Sequence, residues 1–418
     1  MLTVKGKYNT AQIMTDGEVD EATLEQVRTM CNLKSLQESN IVIMPDCHAG
    51  AGCTIGTTMT IHDTVIPNFV GVDIGCGVRA VQIAGDVDLE KLDRIIREKI
   101  PCGFAVHDEP DESDESNNED DYTSDLYMKA FSILLDTWCK EHVDTDRACR
   151  SLGTLGGGNH FIELDCDSYG HYWLVVHTGS RCLGKQVADY YQNLAYRVCN
   201  KHDFSAEIEK LKQEGRQREI NDYIKRNKEE PVPKAYAHLS GRDMMLYLDD
   251  MTTCQEYAAA NRKEICNIIM DAMGWQAITQ IDTPHNYIDP RDVILRKGAV
   301  AARGNEFLVI PMNMRDGTLL CVGKENAAWN ASAPHGAGRV MSRAKAKESI
   351  SMETYEKSMS GIYSSSVCEE TKDEAPMAYK PAEIIKDAIT NIEGGAVTIV
   401  DVLKSVYNFK ASNEKESE

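Results

Sequence analysis

The sequence predicts a mixed α+β fold, with strands and helices that do not alternate regularly. Three observations predict it. Glycines punctuate short β-type runs in two separate blocks, Ile41 to Gln82 and Leu152 to Ser180. Long helical stretches stand apart from those blocks, the longest from Arg242 to Met273. Strand patterns then resume between Val293 and Val322. A doubly wound sheet would need strand and helix in steady alternation.

The elements follow in chain order. Leu2 to Lys5 reads as a short strand and Glu21 to Cys31 as a helix. Ile41 to Met44, Thr54 to Ile61, Val70 to Asp73 and Val78 to Ile83 read as strands. Leu89 to Lys99 and Leu126 to His142 carry helical spacing, and Phe161 to Leu164 and Trp173 to Val176 are strand patterns. Gln186 to Val198 reads as helix. Ser205 to Lys228 is helical but charged, with few apolar residues, which suits a protruding hairpin or lid more than core. In the long helix, Cys254, Tyr257, Cys266 and Ile269 mark a buried stripe. Ala344 to Met352 and Pro381 to Asn391 read as helices, and Ala396 to Val406 as a last strand. No internal repeat is present. The expected organisation is one catalytic domain over 1–410, with an acidic loop at 107–121, a charged insertion at 205–228 and a disordered tail at 411–418.

Composition narrows the class. Of 418 residues, 42% are hydrophobic, enough for a sizeable core. No apolar run approaches the ~20 residues that span a bilayer, and the N-terminus lacks a signal-peptide core. Fourteen scattered cysteines without C-x-x-C pairs suit a reducing cytoplasm. The net charge of -21 argues against non-specific nucleic-acid binding by the whole surface, though not against a local basic site. Part of that charge is the run from Asp108 to Asp121, where nine of fourteen residues are acidic. Such a run is expected to be solvated.

Metal-ligand residue types recur beside glycine-rich segments. Asp73 and Cys76 sit in GVDIGCGVRA, His160 in LGGGNHFIEL, His177 in VVHTGSR, His285 in TPHNYI and His335 in SAPHGAGR. One Asp, one Cys and three His suffice for two metals that share a thiolate. Two metals about 3.5–4 Å apart suit phosphoryl transfer, because they clamp the attacking and leaving oxygens. Taken singly, a histidine beside an apolar strand is more often a satisfied core residue, and a buried cysteine a small hydrophobe. Only the joint pattern argues for a site. His48, in MPDCHAG, reads as scaffolding for it; His62, His107, His142, His171, His202 and His238 read as ordinary. The glycines at 156–158, 336 and 338 can form anion-binding nests. Arg339, Arg343, Lys345 and Lys347 form a basic stripe that suits RNA phosphates, or equally a solvated helix face.

At these residues the chain closely resembles the RtcB family of RNA-splicing ligases, from IVIMPDCHAG at Ile41 to YNFK at Lys410. GVDIGCGVRA, GTLGGGNHFIEL, HTGSR, RKGA and HGAGRVMSRAKA carry the resemblance. It implies mixed β-sheets flanked by helices around a central dinuclear Mn2+ site. Asp73, Cys76 and His160 would hold one ion, and Cys76, His177 and His285 the other. His335 would be the nucleophile that takes GMP from GTP. Asn159 and the backbone of Gly336, Ala337 and Gly338 would contact the phosphates. Glu163 would read the guanine edge, Tyr379 would stack on its face, and Lys410 would reach the base. His160, Phe161, His285, Asn286, Pro311, Met314 and Thr318 would complete the nucleotide pocket. Arg181 and Arg343 would hold the RNA phosphate. The GMP would pass to an RNA 3′-phosphate, opened first from a 2′,3′-cyclic phosphate where needed, and a 5′-hydroxyl would displace it. The resemblance further suggests a monomer, in some members assisted by an activating protein.

The donor set by itself points elsewhere on one matter: a thiolate with imidazoles favours Zn2+. The chain also departs from the family pattern. Met312 replaces the usual glycine in IPMNMRDGT, Ala333 and Pro334 replace a Cys-Ser pair, and Cys182 follows Arg181 where glycine is usual. These changes suggest a divergent branch, bacterial in style, with a repair role. Two rival readings are a metal-dependent phosphoesterase that does not join ends, and a non-catalytic RNA-binding protein. The first needs no nucleophile or purine pocket; the second predicts lost ligands. His335, Tyr379, Lys410 and every expected ligand are present.

Overall fold

The computed structural model describes residues 1–108, 122–201, 204–227 and 230–411. The acidic run beyond Asp108, His202, Lys228 and the tail from 412 lie outside the described residues. Two large sheets dominate. The six-stranded sheet runs, in spatial order, Leu2–Lys5, Thr10–Ile13, Ile41–His48, Ile55–Thr60, Ile294–Lys297 and Asn286–Asp289. The seven-stranded sheet runs Gln276–Pro284, Gly77–Ala84, Tyr172–Thr178, Phe161–Cys166, Val397–Phe409, Gly317–Gly323 and Phe307–Asn313. Within these sheets only Thr10–Ile13 and Ile41–His48 pair in parallel. This is the mixed architecture flanked by helices that the sequence predicts.

Strand alternation explains why the seven-stranded sheet has two different faces. Leu174 and Val176 pack with Leu92, Ile96, Ile265 and Ile269, which come from the Leu89–Lys99 and Gly241–Met273 helices. Trp173 and Val175 face the other way, with Phe161, Val309, Leu320 and Leu403. His177 continues that second series, and its register partner is Phe161. The 33-residue Gly241–Met273 helix buries Cys254, Tyr257, Cys266 and Ile269, the stripe that helical spacing marks. Among the described residues no helix is long and apolar enough to cross a membrane.

Several boundaries differ from expectation. Val70 to Asp73 is not a strand: a Pro67–Val70 helical turn ends there and a glycine-rich turn follows. Gly75 adopts φ 73°, and a Cβ on it would lie 2.9 Å from Gln255 Cα, so the chain turns where a strand would run straight. The helix expected to reach His142 stops at Leu134. Beyond it, the Asp250 carboxylate accepts from the Trp138 and Cys139 amides at 2.6 and 3.1 Å, which offers that backbone an alternative to helix. The Gln276–Pro284 strand has no counterpart in the sequence reading. It is an edge strand, largely exposed, and so lacks the burial alternation that reveals strands.

Candidate active site

Ligand-type side chains converge where the glycine-rich segments meet. Asp73 and Cys76 come from the turn before Gly77–Ala84, His160 precedes Phe161–Cys166, His177 lies near the end of Tyr172–Thr178, and His285 sits between two strands. Cys76 Sγ lies 3.2 Å from His177 Nε2 and 3.6 Å from His160 Nε2. His177 Nε2 lies 3.2 Å from His285 Nε2, and His160 Nε2 lies 3.1 Å from Asp73 Oδ2. Two three-ligand groups result, Asp73–Cys76–His160 and Cys76–His177–His285, sharing the sulfur.

These donors fit metal ions. Bonds of 2.0–2.3 Å in a tetrahedral shell place neighbouring donors roughly 3.3–3.7 Å apart, close to the observed spacing. The histidine tautomers also suit ligation. His160 Nδ1 donates to the Leu155 carbonyl at 2.8 Å and His177 Nδ1 to the Asn159 carbonyl at 3.1 Å. Each bond leaves the Nε2 lone pair facing the centre. Burial holds His177 and His285 well below the usual imidazole range, so both are neutral donors. Burial, reinforced by Asp73, pushes the Cys76 thiol well above its usual range, so a metal must displace that proton.

The long helix braces this end. Arg262 pairs with Asp282 at 2.7 Å and donates to the Gly75 and Thr178 carbonyls at 2.8 and 3.0 Å, tying the Asp73–Cys76 turn to the His177 strand. Asn261 Oδ1 accepts from the Gly153 and Thr154 amides, which fixes the loop leading to His160. Neither residue was singled out from sequence. Their signal is two adjacent polar residues on the buried side of the helix, which is apolar apart from these and Asp250 and Glu264.

His335 stands beside the second group, its ring centroid 4.9 Å from that of His285. Its Nδ1 donates to Asp46 Oδ2 at 2.7 Å, and Asp46 is fully buried. The imidazole is thereby oriented with Nε2 as the free nitrogen. Gly338, at φ 73°, closes the loop against this carboxylate's backbone; a Cβ there would meet Asp46 O at 2.1 Å. The Ser332–Pro334 strand pairs with Ala299–Ala301 and fixes the chain's approach to His335, with Pro334 opposite Ala299. Asp46 too was missed, although His48 drew attention to its segment. His48 lines the cavity, its Nδ1 on the Asp46 carbonyl at 3.0 Å.

A cavity of about 340 Å³ joins these groups. Of the residues expected to bind nucleotide, Asn159, Phe161, Glu163, His285, Asn286, Pro311, Met314, His335, Gly336, Ala337, Gly338, Tyr379 and Lys410 line it. His160 lies beneath, and Thr318 is buried outside the lining. Of the two expected RNA-phosphate arginines, Arg343 lines the cavity and Arg181 does not. The Arg181 guanidinium donates to Thr154 Oγ1 and the Gly103 carbonyl, both at 3.1 Å.

At the far end, Glu374 gathers four donors. Its carboxylate accepts from Lys410 Nζ at 2.7 Å, Tyr379 OH at 2.6 Å, and Arg343 and Arg339 at 2.5 and 3.3 Å. Burial would raise this carboxyl, but Lys410 and Arg343 outweigh it and hold it at about 2. Glu374 was also not anticipated; it directly precedes the APMAYK segment that carries Tyr379. Arg343 further pairs with Asp373 at 2.6 Å. Lys345 is exposed, and Lys347 reaches Asp373 at 3.5 Å.

Comparison with known proteins places the chain in a family. A family model described as tRNA-splicing ligase RtcB matches residues 26–411. The RNA-splicing ligase RtcB of Escherichia coli K12 is 29% identical over 408 residues, covering 89% of this chain and 90% of that protein. The RNA-splicing ligase RtcB1 of another Escherichia coli strain is 30% identical over 406 residues, with the same coverage. The tRNA-splicing ligase RtcB of Nanoarchaeum equitans is 27% identical over 440 residues, covering 86% of each. A match of this length, over a chain whose ligand-type residues meet in one cavity, makes this protein a member of the RtcB family.

Proposed function

We propose that this protein is a GTP-dependent RNA ligase with two Mn2+ ions, joining 3′-phosphate or 2′,3′-cyclic phosphate ends to 5′-hydroxyl ends through a guanylylated His335. The observation that carries the proposal is the Asp46–His335 pair, which presents an oriented imidazole beside two sets of metal donors. Asp73, Cys76, His160, His177 and His285 would hold the ions, which would neutralise charge on crowded phosphate oxygens. Manganese comes from the family resemblance; the thiolate and imidazoles suit zinc at least as well.

The chain's own residues then have assignable roles. Asp46 accepts the hydrogen bond from Nδ1–H and leaves Nε2 to attack the GTP α-phosphorus. The N–P bond forms as the bond to pyrophosphate breaks, and Asp46 stabilises the positive charge that grows on the ring. An RNA 3′-phosphate oxygen takes GMP from His335, which restores the imidazole. A 5′-hydroxyl next attacks the activated phosphate and GMP departs. Asn159 and the amides after His335 are assigned the GTP phosphates, and Arg343 the RNA phosphate. Glu163, Tyr379 and Lys410 are assigned the guanine.

Incubation with GTP radiolabelled at the α-phosphate, with metal present, tests this directly. A labelled, acid-labile protein that is lost in His335→Ala is expected. An unlabelled wild type with its metals bound would favour the phosphoesterase reading, which needs the donors but not His335.

A further inference from the structure

Behind the proposed purine end of the cavity lies a buried amide that the proposed reaction does not use. Phe161, Glu163 and Asp165 share one face of the Phe161–Cys166 strand. Phe161 belongs there to the apolar cluster of Val175, Val309, Leu320 and Leu403. Asn408, in the neighbouring Val397–Phe409 strand, is the register partner of Glu163 and is fully buried. Its Nδ2 donates to Glu163 Oε1, while its own Oδ1 has no partner among the described residues. Glu163 lines the cavity and Asn408 does not. An amide half-satisfied in apolar surroundings is costly. Its one bond goes to the carboxylate that faces the ligand.

The consequence rests on reading Glu163 as the residue that meets the base. Guanine offers two adjacent donors, N1–H and the 2-amino group, which suit an ionised carboxylate. Adenine offers an acceptor, N1, beside a donor, the 6-amino group, which suits a neutral carboxylic acid. The protonation of Glu163 therefore selects the purine. We propose that Asn408 is the positioning residue for this selection: its N–H holds Glu163 as an acceptor turned toward the guanine edge.

Few charged or titratable groups face Glu163. Its own strand adds Asp165, fully buried. Lys410 follows the Asn408 strand, its Nζ on Glu374 at 2.7 Å. The Tyr172–Thr178 strand opposes Glu163 with Val175 and Asp165 with Trp173, and the Gly317–Gly323 strand adds buried Thr318. Burial raises the Glu163 carboxyl to about 7, against Lys410 and the Asn408 hydrogen bond, which both lower it. Burial and Glu163 push Asp165 well above the carboxylate range. Without the Asn408 donor, Glu163 keeps its proton to higher pH.

The test is equilibrium binding of GTP and of ATP to the full chain, from about pH 6 to about pH 9. Wild type is compared with Asn408→Leu and Glu163→Gln. The GTP-to-ATP affinity ratio is read, because titration of phosphates and metal ligands is common to both nucleotides. In wild type the ratio should fall below about pH 7. In Asn408→Leu the fall should move up by about one pH unit, recovering at high pH. Asn408→Ala removes the same donor with less volume and should give the same displacement if the leucine variant does not fold. A ratio lowered equally at every pH would mean packing alone, and an unchanged curve would mean no role; either overturns the inference. If Glu163→Gln collapses the ratio while the Asn408 curves match wild type, only the Asn408 assignment fails. If Glu163→Gln leaves the ratio unchanged, or GTP does not bind, the purine-pocket reading fails and takes this inference with it.

Discussion

The two ends of the cavity are built on opposite electrostatic plans. At the candidate metal end, the Asp73 carboxylate, the Cys76 thiol and three imidazoles crowd together, and among the described residues His285 Nδ1 is buried without a partner. Cations held there would offset the crowding of these donors. At the proposed purine end, the charges around Glu374 already compensate one another: it satisfies Lys410, Tyr379 and Arg343 at once. A nucleotide bound there, as proposed, would compete with these bonds. The first end would therefore serve to stabilise developing charge, the second to discriminate among ligands.

Five measurements would break or sharpen this contrast. The largest effect is expected from His335→Ala, which should abolish guanylylation while leaving metal content unchanged. Loss of metal together with label would mean that His335 belongs to the metal end instead. Next is Cys76→Ala. Because both donor groups use this sulfur, elemental analysis should find both ions lost, whereas His160→Ala should lose one. Metal affinity in wild type should also strengthen with rising pH, by about tenfold per unit for the one displaced thiol proton. A flat profile would contradict the neutral thiol inferred for Cys76.

Asp46→Asn should slow guanylylation by about a hundredfold, with little change in GTP binding. An equal loss of binding would make Asp46 a scaffold residue. The smallest effect concerns the purine end. The Glu374 carboxyl is held at about 2, below its ordinary 4.5. Its contribution to stability is complete above the ordinary value and is lost as pH falls through the folded one. Glu374→Gln should flatten acid unfolding in that window, and an unchanged acid profile would argue against the compensated cluster.

Much of this was legible beforehand. The Glu21–Cys31 and Leu89–Lys99 helices match expectation at both ends, because local spacing decides an amphipathic helix. The five donors and His335 stood out because glycine-rich motifs surround them. The exposed Gln276–Pro284 strand did not, because nothing in its pattern distinguishes an edge from a loop.

What the sequence determined by itself was therefore the chemical inventory: ligand types, glycine turns, helical stripes and family membership. Tertiary structure decided which groups act on which. Asp46 lies 289 positions from His335, and Glu374 lies 36 from Lys410. Asn408 reaches Glu163 across 245 positions only because two strands pair in one register. Periodicity and motif spacing report on neighbours within a turn or a strand. Partners that meet through sheet register leave no local pattern, since register is set by burial summed over the whole fold.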